Sequence, residues 1–146
     1  MRGFTLVELV VVILIVGIMA VAVIPRFVGR AGFDARGFFD ETQAMLRYGQ
    51  KVAVAQHASV FVRLNAGTLD LCYDAACASR VLNPADRTSF SKSAPSGVGI
   101  ASTAASFSFD ALGKPNPDAA VTYTITAVGE PARTITVEKE TGYVHP

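Results

Sequence analysis

A run of apolar residues near the amino terminus, residues 9–24, constrains this sequence more than any other feature. One carboxylate, Glu8, stands immediately before the run, and no basic residue falls between Thr5 and Val23. An ionisable side chain within a membrane-length apolar helix costs about 2.5–3.5 kcal/mol on insertion scales, so it normally has a partner that neutralises it. Because the same helix offers no cation, we expect the partner of Glu8 to come from a neighbouring molecule, most simply a second copy of the chain.

The apolar segment is long enough to cross a bilayer, because residues 4–24 would span about 31 Å as an α-helix. A cleaved secretory signal peptide is the alternative, since Met19-Ala20-Val21-Ala22 resembles a small-residue cleavage site. The apolar region of a signal peptide is shorter, however, at about 7–15 residues. Arginines flank both ends of the segment, so charge alone does not orient it.

The residues that precede the apolar run, Gly3-Phe4-Thr5-Leu6-Val7-Glu8, resemble the processing site of type IV prepilins and type II secretion pseudopilins. This resemblance implies that a prepilin peptidase cuts after Gly3 and methylates the new amino terminus at Phe4. It also implies that Glu8 meets the exposed amine of an adjacent subunit during assembly. The leader Met1-Arg2-Gly3 is shorter than most leaders in the family, which bears on the position of the start codon more than on the cleavage.

The remainder of the chain predicts one small α+β domain. We expect Pro25 to kink or interrupt the apolar helix, and a second helical stretch with a loosening near residues 29–37. Helical spacing of three and four residues then marks one buried stripe: Phe38, Thr42, Met45, Leu46, Gly49, Val52, Ala53 and Gln56.

After Ala58 the apolar period changes to two, which predicts short antiparallel strands. We expect a hairpin around Asn65-Ala66-Gly67, short strands at 99–103 and 106–110, and a second hairpin joining 121–128 to 133–138. Residues 83–98 are rich in Ser, Pro, Ala and Gly and predict a surface loop. Residues 142–144 are expected to add an edge strand.

The predicted organisation has four parts: a leader peptide (1–3), a transmembrane and assembly helix (4–25), its amphipathic continuation (26–57) and an antiparallel β headgroup (58–146). The expected fold class is therefore α+β, with a long amino-terminal helix packed on a small antiparallel sheet. Residues 107–115, residues 133–137 and Gly142 resemble the GspH/FimT-type pseudopilins, which implies a type IV pilin-like fold. Residues 33–38 and 47–56 are similar to minor pilins of mannose-sensitive haemagglutinin (MSHA) pili.

Cys72 and Cys77 are the only cysteines, and four residues separate them. If the headgroup is exported, as the family topology implies, an intramolecular disulfide is favoured. A zinc site would need about four ligands, and no clustered His or Cys completes such a set. A redox site would favour Cys-x-x-Cys, and this spacing differs. We expect no metal and no cofactor.

The sequence favours a structural role over catalysis. It has no nucleophile, phosphate-binding or HExxH motif, and His57 is interpreted as a solvated helix-terminal residue. The net charge of +1 and the absence of Trp argue against a dedicated nucleic-acid binder. Some pilins of this type bind DNA, and the candidate residues here would be Arg80, Arg87 and Lys92, although ordinary solvation is favoured because these charges are sparse.

The sequence therefore predicts a minor pilin or pseudopilin. The resemblance implies a single-pass precursor in the bacterial inner membrane, with its headgroup in the periplasm, that later joins a pilus or pseudopilus. The expected partners are prepilin peptidase, other major and minor pilins or pseudopilins, and membrane lipid before assembly. A filament-borne receptor for DNA or a surface ligand is the alternative function.

Overall fold

The structure, a computed structural model, describes residues 5–146, except for the side chains of residues 20–29. The predicted leader peptide (1–3), including Gly3, and the predicted methylation site Phe4 lie outside the described residues. A single helix, α1 (Leu6–Gln56), occupies the amino-terminal third of the chain. It does not end at Pro25 and shows no interruption at residues 29–37, so the expected loosening there is wrong. A proline removes one hydrogen bond of the helix, and the turns on both sides retain theirs.

The two ends of α1 have recognisable caps. Thr5 is the N-cap, and its hydroxyl accepts a hydrogen bond from the backbone N–H of Glu8 at 3.4 Å. His57 is the C-cap in the left-handed conformation, with φ of 50°, and its N–H bonds back to the carbonyls of Ala53 and Val54. Capping groups satisfy backbone donors and acceptors that have no partner inside the helix.

The predicted buried stripe of the carboxyl-terminal half of α1 is confirmed, except at its end. Residues on one side of the helix are buried at three- and four-residue spacing: Ala35, Phe38, Phe39, Thr42, Met45, Leu46, Gly49, Val52 and Ala53. Gln56 is exposed, and its amide donates to the Tyr73 hydroxyl at 3.3 Å. Gln56 is the last residue of the helix.

The part of the chain that the structure describes contains nine strands in two antiparallel sheets. The five-stranded sheet has the order β3-β2-β1-β5-β6, and the four-stranded sheet has the order β4-β7-β8-β9. The strands are β1 (Val60–Asn65), β2 (Thr68–Cys72), β3 (Ser91–Ser93), β4 (Val98–Ser102), β5 (Ser106–Phe109), β6 (Pro115–Asn116), β7 (Val121–Ala127), β8 (Arg133–Val137) and β9 (Val144–His145).

The α+β class is confirmed, with the strands divided between two sheets rather than joined in one. The β1–β2 hairpin forms as predicted, with Asn65 opposite Thr68 and positive φ at Ala66 and Gly67, as a tight hairpin turn requires. The β7–β8 hairpin also forms, with Tyr123 opposite Ile135.

The segment 83–98 differs from the predicted loop because it contains β3. This strand reads Ser-Lys-Ser and pairs with β2, so its stability comes from backbone pairing and not from an apolar alternation. The two short strands predicted at 99–103 and 106–110 belong to different sheets, since β4 pairs with β7 while β5 pairs with β1.

The core lies between the buried stripe of α1 and the inner faces of both sheets. The fully buried side chains come from all three layers: Met45, Leu46, Val60, Val62, Leu69, Leu71, Phe109, Tyr123, Ile125, Ile135 and Val137. Burial raises the pKa of the Tyr123 hydroxyl, which therefore stays neutral in the core. One continuous core thus holds the headgroup to the carboxyl-terminal half of α1.

Candidate functional site

Glu8 lies in the first turn of α1 with its side chain exposed. Its backbone N–H bonds to the hydroxyl of Thr5 at 3.4 Å and to the carbonyl of Thr5 at 3.1 Å. Thr5 at the N-cap and Glu8 three residues later have the spacing of a capping box, which places the carboxylate at the positive end of the helix dipole. Thr5 was not among the predicted functional residues, although the Thr-x-x-Glu spacing is readable in the sequence.

The side chains in the amino-terminal part of α1, residues 6–19, are exposed, and this segment is called the bare part of α1 below. Every large apolar side chain at residues 6–19 is at least 47% exposed, and Leu6 reaches 78%. A contiguous apolar surface of this kind marks a site of contact with protein or membrane. Among the helical residues whose side chains are described, no stretch is both long enough and apolar enough to cross a membrane.

The expected disulfide is present, since Cys72 and Cys77 are bonded and their Cα atoms lie 5.1 Å apart. Hydrogen bonds also hold the disulfide loop, residues 72–80. The carboxylate of Asp74 accepts from the backbone N–H of Ala78 at 3.0 Å and of Ser79 at 2.7 Å, and these bonds lower the pKa of Asp74. Arg63 of β1 donates to the carbonyl of Ala76 at 3.1 Å. The loop is therefore a fixed part of the headgroup surface.

The three candidate DNA-binding residues have separate environments. The Arg80 Nε lies 3.7 Å from a carboxylate oxygen of Asp70, and the Lys92 Nζ lies 3.3 Å from one of Glu41. Arg87 is exposed, with φ of 58°. Two of the three cations thus have an anionic partner within the chain. Binding of DNA by these residues stays a prediction.

Each of the two histidines takes part in a structural contact. His57 caps α1, and the His145 Nε2 lies 2.8 Å from a carboxylate oxygen of Glu138. The bond to Glu138 raises the pKa of His145. Within residues 5–146, no group of three or more His, Cys, Asp or Glu side chains is arranged to hold a metal ion.

A junction that sequence reasoning missed ties both sheets to α1. The Gln50 amide donates to the carbonyl of Gly113 at 3.1 Å and to that of Thr141 at 2.9 Å. The Arg47 guanidinium donates twice to the carbonyl of Val144, at 3.2 and 3.0 Å. Gly113 and Thr141 lie 63 and 91 positions after Gln50 in the sequence, so no local pattern predicts these contacts.

Comparison with known proteins indicates the class of protein that this chain is similar to. Residues 1–24 match the family model of the prokaryotic N-terminal methylation motif. The type IV minor pilin FimU of Pseudomonas aeruginosa is 17% identical with a TM-score of 0.59, over 75% of this chain and 90% of FimU. The minor pseudopilin EpsH of the Vibrio cholerae type 2 secretion system is 17% identical with a TM-score of 0.56, over 79% of this chain and 94% of EpsH. None of the curated proteins matches this chain in sequence.

Motif and fold together define a pilin-like protein, in which a methylation motif opens a long helix that packs on antiparallel strands. The chain carries the amino-terminal motif of the type IV pilin and pseudopilin family and has that family's fold. Its sequence resemblance to the family is confirmed. The narrower resemblance to MSHA pilins stays a prediction.

Proposed function

We propose that this chain is a minor pilin or pseudopilin that enters, or primes, a type IV pilus-like filament. The observation that carries the proposal is the contrast within α1. Apart from Glu8, the side chains at residues 6–19 are exposed and apolar, whereas from Ala35 onward the same helix is packed into the headgroup. Such a helix needs apolar surroundings at one end and water at the other. A precursor anchored in a membrane has both environments, and so does a subunit packed in a filament.

Processing comes first in this proposal. A prepilin peptidase cleaves after Gly3 and methylates Phe4, which leaves Glu8 as the fifth residue of the mature chain. The precursor waits in the inner membrane with its headgroup in the periplasm. The match of residues 1–24 to the methylation motif supports this step.

Glu8 then sets the position of the subunit in the filament. Its carboxylate meets the free amine of an adjacent subunit, because residues 5–23 offer it no cation of their own. Apolar packing between helices gains little over lipid, so packing supplies cohesion while the ion pair selects the axial register.

The test is to replace Glu8 by Ala or Gln in the full chain and to measure its amount in purified filaments. Both variants should be cleaved and methylated normally yet enter filaments poorly. Glu8→Gln keeps the size of the side chain and removes only the charge, so it separates the effect of the charge from that of side-chain volume.

The matched control is Asp40→Asn, which removes an exposed carboxylate from the same helix. Mass spectrometry of the mature amino terminus confirms processing in each variant. Glu8→Gln at the wild-type level in filaments would contradict the proposed role of the charge.

We further propose a filament of the MSHA pilus type, with a type II secretion pseudopilus as the alternative. The similarity of residues 33–38 and 47–56 to MSHA minor pilins supports the pilus. The structural likeness does not separate the two systems, since the TM-scores to FimU and EpsH are 0.59 and 0.56. Co-purification with sheared surface pili, against retention in the cell envelope, distinguishes them.

A further inference from the structure

A hollow of about 230 Å³ lies on the outer face of the five-stranded sheet, the face turned away from α1. Three adjacent strands line it: β1 with Phe61 and Arg63, β5 with Ser106 and Ser108, and β6 with Asn116. Alternate residues of β1 and β5 are buried in the core, so these side chains project from the opposite face. Residues of the disulfide loop form a further wall. This site is called the outer hollow below.

The register of the strands brings several polar groups together in the outer hollow. Arg63 lies opposite Ser106, Phe61 lies opposite Ser108, and Ser108 in turn lies opposite Asn116. Two interstrand spacings, about 10 Å, separate β1 from β6. The outer hollow therefore presents a guanidinium on one side, hydroxyls in the middle and an amide on the other side, next to a half-buried aromatic ring.

The Arg63 guanidinium has donors that the chain does not use. Its Nη1 donates to the carbonyl of Ala76 at 3.1 Å, whereas its Nε is buried without a hydrogen-bond partner. Among the described residues Arg63 takes part in no ion pair, since Asp70, opposite it on β2, lies near Arg80 instead. A guanidinium with unused donors suits a carboxylate, which it binds through two parallel hydrogen bonds.

Asp74 is the other charged residue in the described lining of the outer hollow. Both oxygens of its carboxylate accept hydrogen bonds from backbone N–H groups of its own loop, at Ala78 and Ser79. The charge of Asp74 is therefore compensated within the loop, while that of Arg63 is not compensated by an anion. This difference favours an anionic ligand over a cationic one.

The size of the outer hollow limits the ligand to a small molecule or a single unit of a polymer. Pockets for drug-sized ligands have volumes of about 300–1,000 Å³, which is more than this one has. A matching molecule has a carboxylate at one end and hydroxyl groups along a length of about 10 Å, the width of two interstrand spacings. It also has an apolar face for the ring of Phe61. An acidic sugar combines these three properties.

We propose that the outer hollow binds an acidic sugar. The guanidinium of Arg63 binds the carboxylate, and Ser106, Ser108 and Asn116 bind the hydroxyl groups. This inference goes beyond the proposed function, because neither Glu8 nor the bare part of α1 lines the outer hollow. The site lies on the side of the sheet away from α1, so a partner that covers α1 leaves it open.

The test is calorimetric titration of the full chain, solubilised in detergent, with glucuronate. Glucose lacks the carboxylate and succinate lacks the hydroxyl groups, so these two are the matched ligands. Glucuronate should bind saturably and at least about tenfold more tightly than either one, since both kinds of polar contact contribute. Equal binding of succinate or glucose would overturn the assigned ligand class, and no saturable binding of glucuronate would overturn the site.

Two variants locate the binding. Arg63→Lys keeps the charge but removes the paired donors, and it should weaken glucuronate binding at least about tenfold. Ser106→Ala changes an exposed side chain, so it should weaken binding at least about threefold without changing the denaturant midpoint. Ser91→Ala is the matched control, because Ser91 lies on the same face of the sheet but does not line the outer hollow. Wild-type affinity in both Arg63→Lys and Ser106→Ala would contradict the proposal.

The sugar site and the proposed function can fail separately. Glu8→Ala should bind glucuronate as the wild type does, and Ser106→Ala should enter filaments normally. Normal incorporation of Glu8→Ala would contradict the proposed role of Glu8 and leave the sugar site standing. Displacement of glucuronate by a polyuronate would support a polysaccharide as the source of the ligand, and binding of the monomer alone would support a free sugar acid.

Discussion

Gly142 shows how far a single position can depend on having no side chain. Its φ is 67°, in the left-handed region, and a Cβ there would collide with the carbonyl oxygen of Gly113. That oxygen is also held by the Gln50 amide at 3.1 Å, so it cannot retreat without losing a hydrogen bond. The turn before β9 and the turn between β5 and β6 therefore fit together only with glycine at position 142.

Gly142→Ala should lower the free energy of unfolding of the full chain in detergent by more than its backbone strain alone. An alanine in the left-handed region costs about 1–3 kcal/mol, and the collision with Gly113 adds to that. Gly97→Ala is the matched control, because Gly97 has φ of 81° and open space around it. Denaturant titration measures both variants. Equal losses would show that the contact with Gly113 contributes nothing.

At the level of elements, the disulfide loop combines one covalent bond with several hydrogen bonds. The bridge joins residues that are 5 positions apart, so it closes a short loop. Asp74 and Arg63 hold the same segment without the bridge. The loop conformation should therefore survive reduction, with a loss in stability that reflects only the closed loop.

Replacing both Cys72 and Cys77 by Ser should lower the free energy of unfolding by about 2 kcal/mol, the chain-entropy value for so short a loop. The fold should persist, as circular dichroism would show. Adding Asp74→Ala should then loosen the segment, because the N–H groups of Ala78 and Ser79 lose their acceptor. Faster hydrogen exchange at those two residues only in the triple variant is the expected result; rapid exchange in the double variant would contradict it.

Periodicity in the sequence predicts the elements that bury an apolar face, and little else. The stripe from Phe38 to Ala53 and the hairpins β1–β2 and β7–β8 follow from spacing of three to four, or of two. Strands β3 and β6 were not predicted, because Ser91–Ser93 and Pro115–Asn116 are held by backbone pairing with longer neighbours. Division into two sheets depends on long-range pairing, which no local pattern encodes.

The candidate site likewise has a part that the sequence predicts and a part that only the structure reveals. Glu8 is predictable because its motif is contiguous, and the spacing of Thr5 and Glu8 predicts a cap as well. The contacts of Gln50 could not be predicted, because loops distant in sequence supply the carbonyl groups of Gly113 and Thr141. Contiguous motifs thus predict processing and assembly, while surfaces built by folding need the structure.

At the level of the whole molecule, the described core of the headgroup contains no side chain from residues 6–19. The first buried core residue after the amino terminus, among the side chains described, is Ala35. A chain that begins at residue 26 should therefore fold and remain soluble without detergent. Gel filtration and circular dichroism check this. Aggregation, or loss of the strand signal, would indicate that residues before 26 contribute to the headgroup.

The continuity of α1 has a mechanical consequence. A helix of 51 residues is about 76 Å long and, in the described backbone, has no interruption where stretching would concentrate. Tension applied at its base is carried through the hydrogen-bonded backbone to the far end, where Arg47 and Gln50 fasten the sheets. The subunit should therefore carry tension along α1, and the headgroup should separate from the helix only after the hydrogen bonds of Arg47 and Gln50 break.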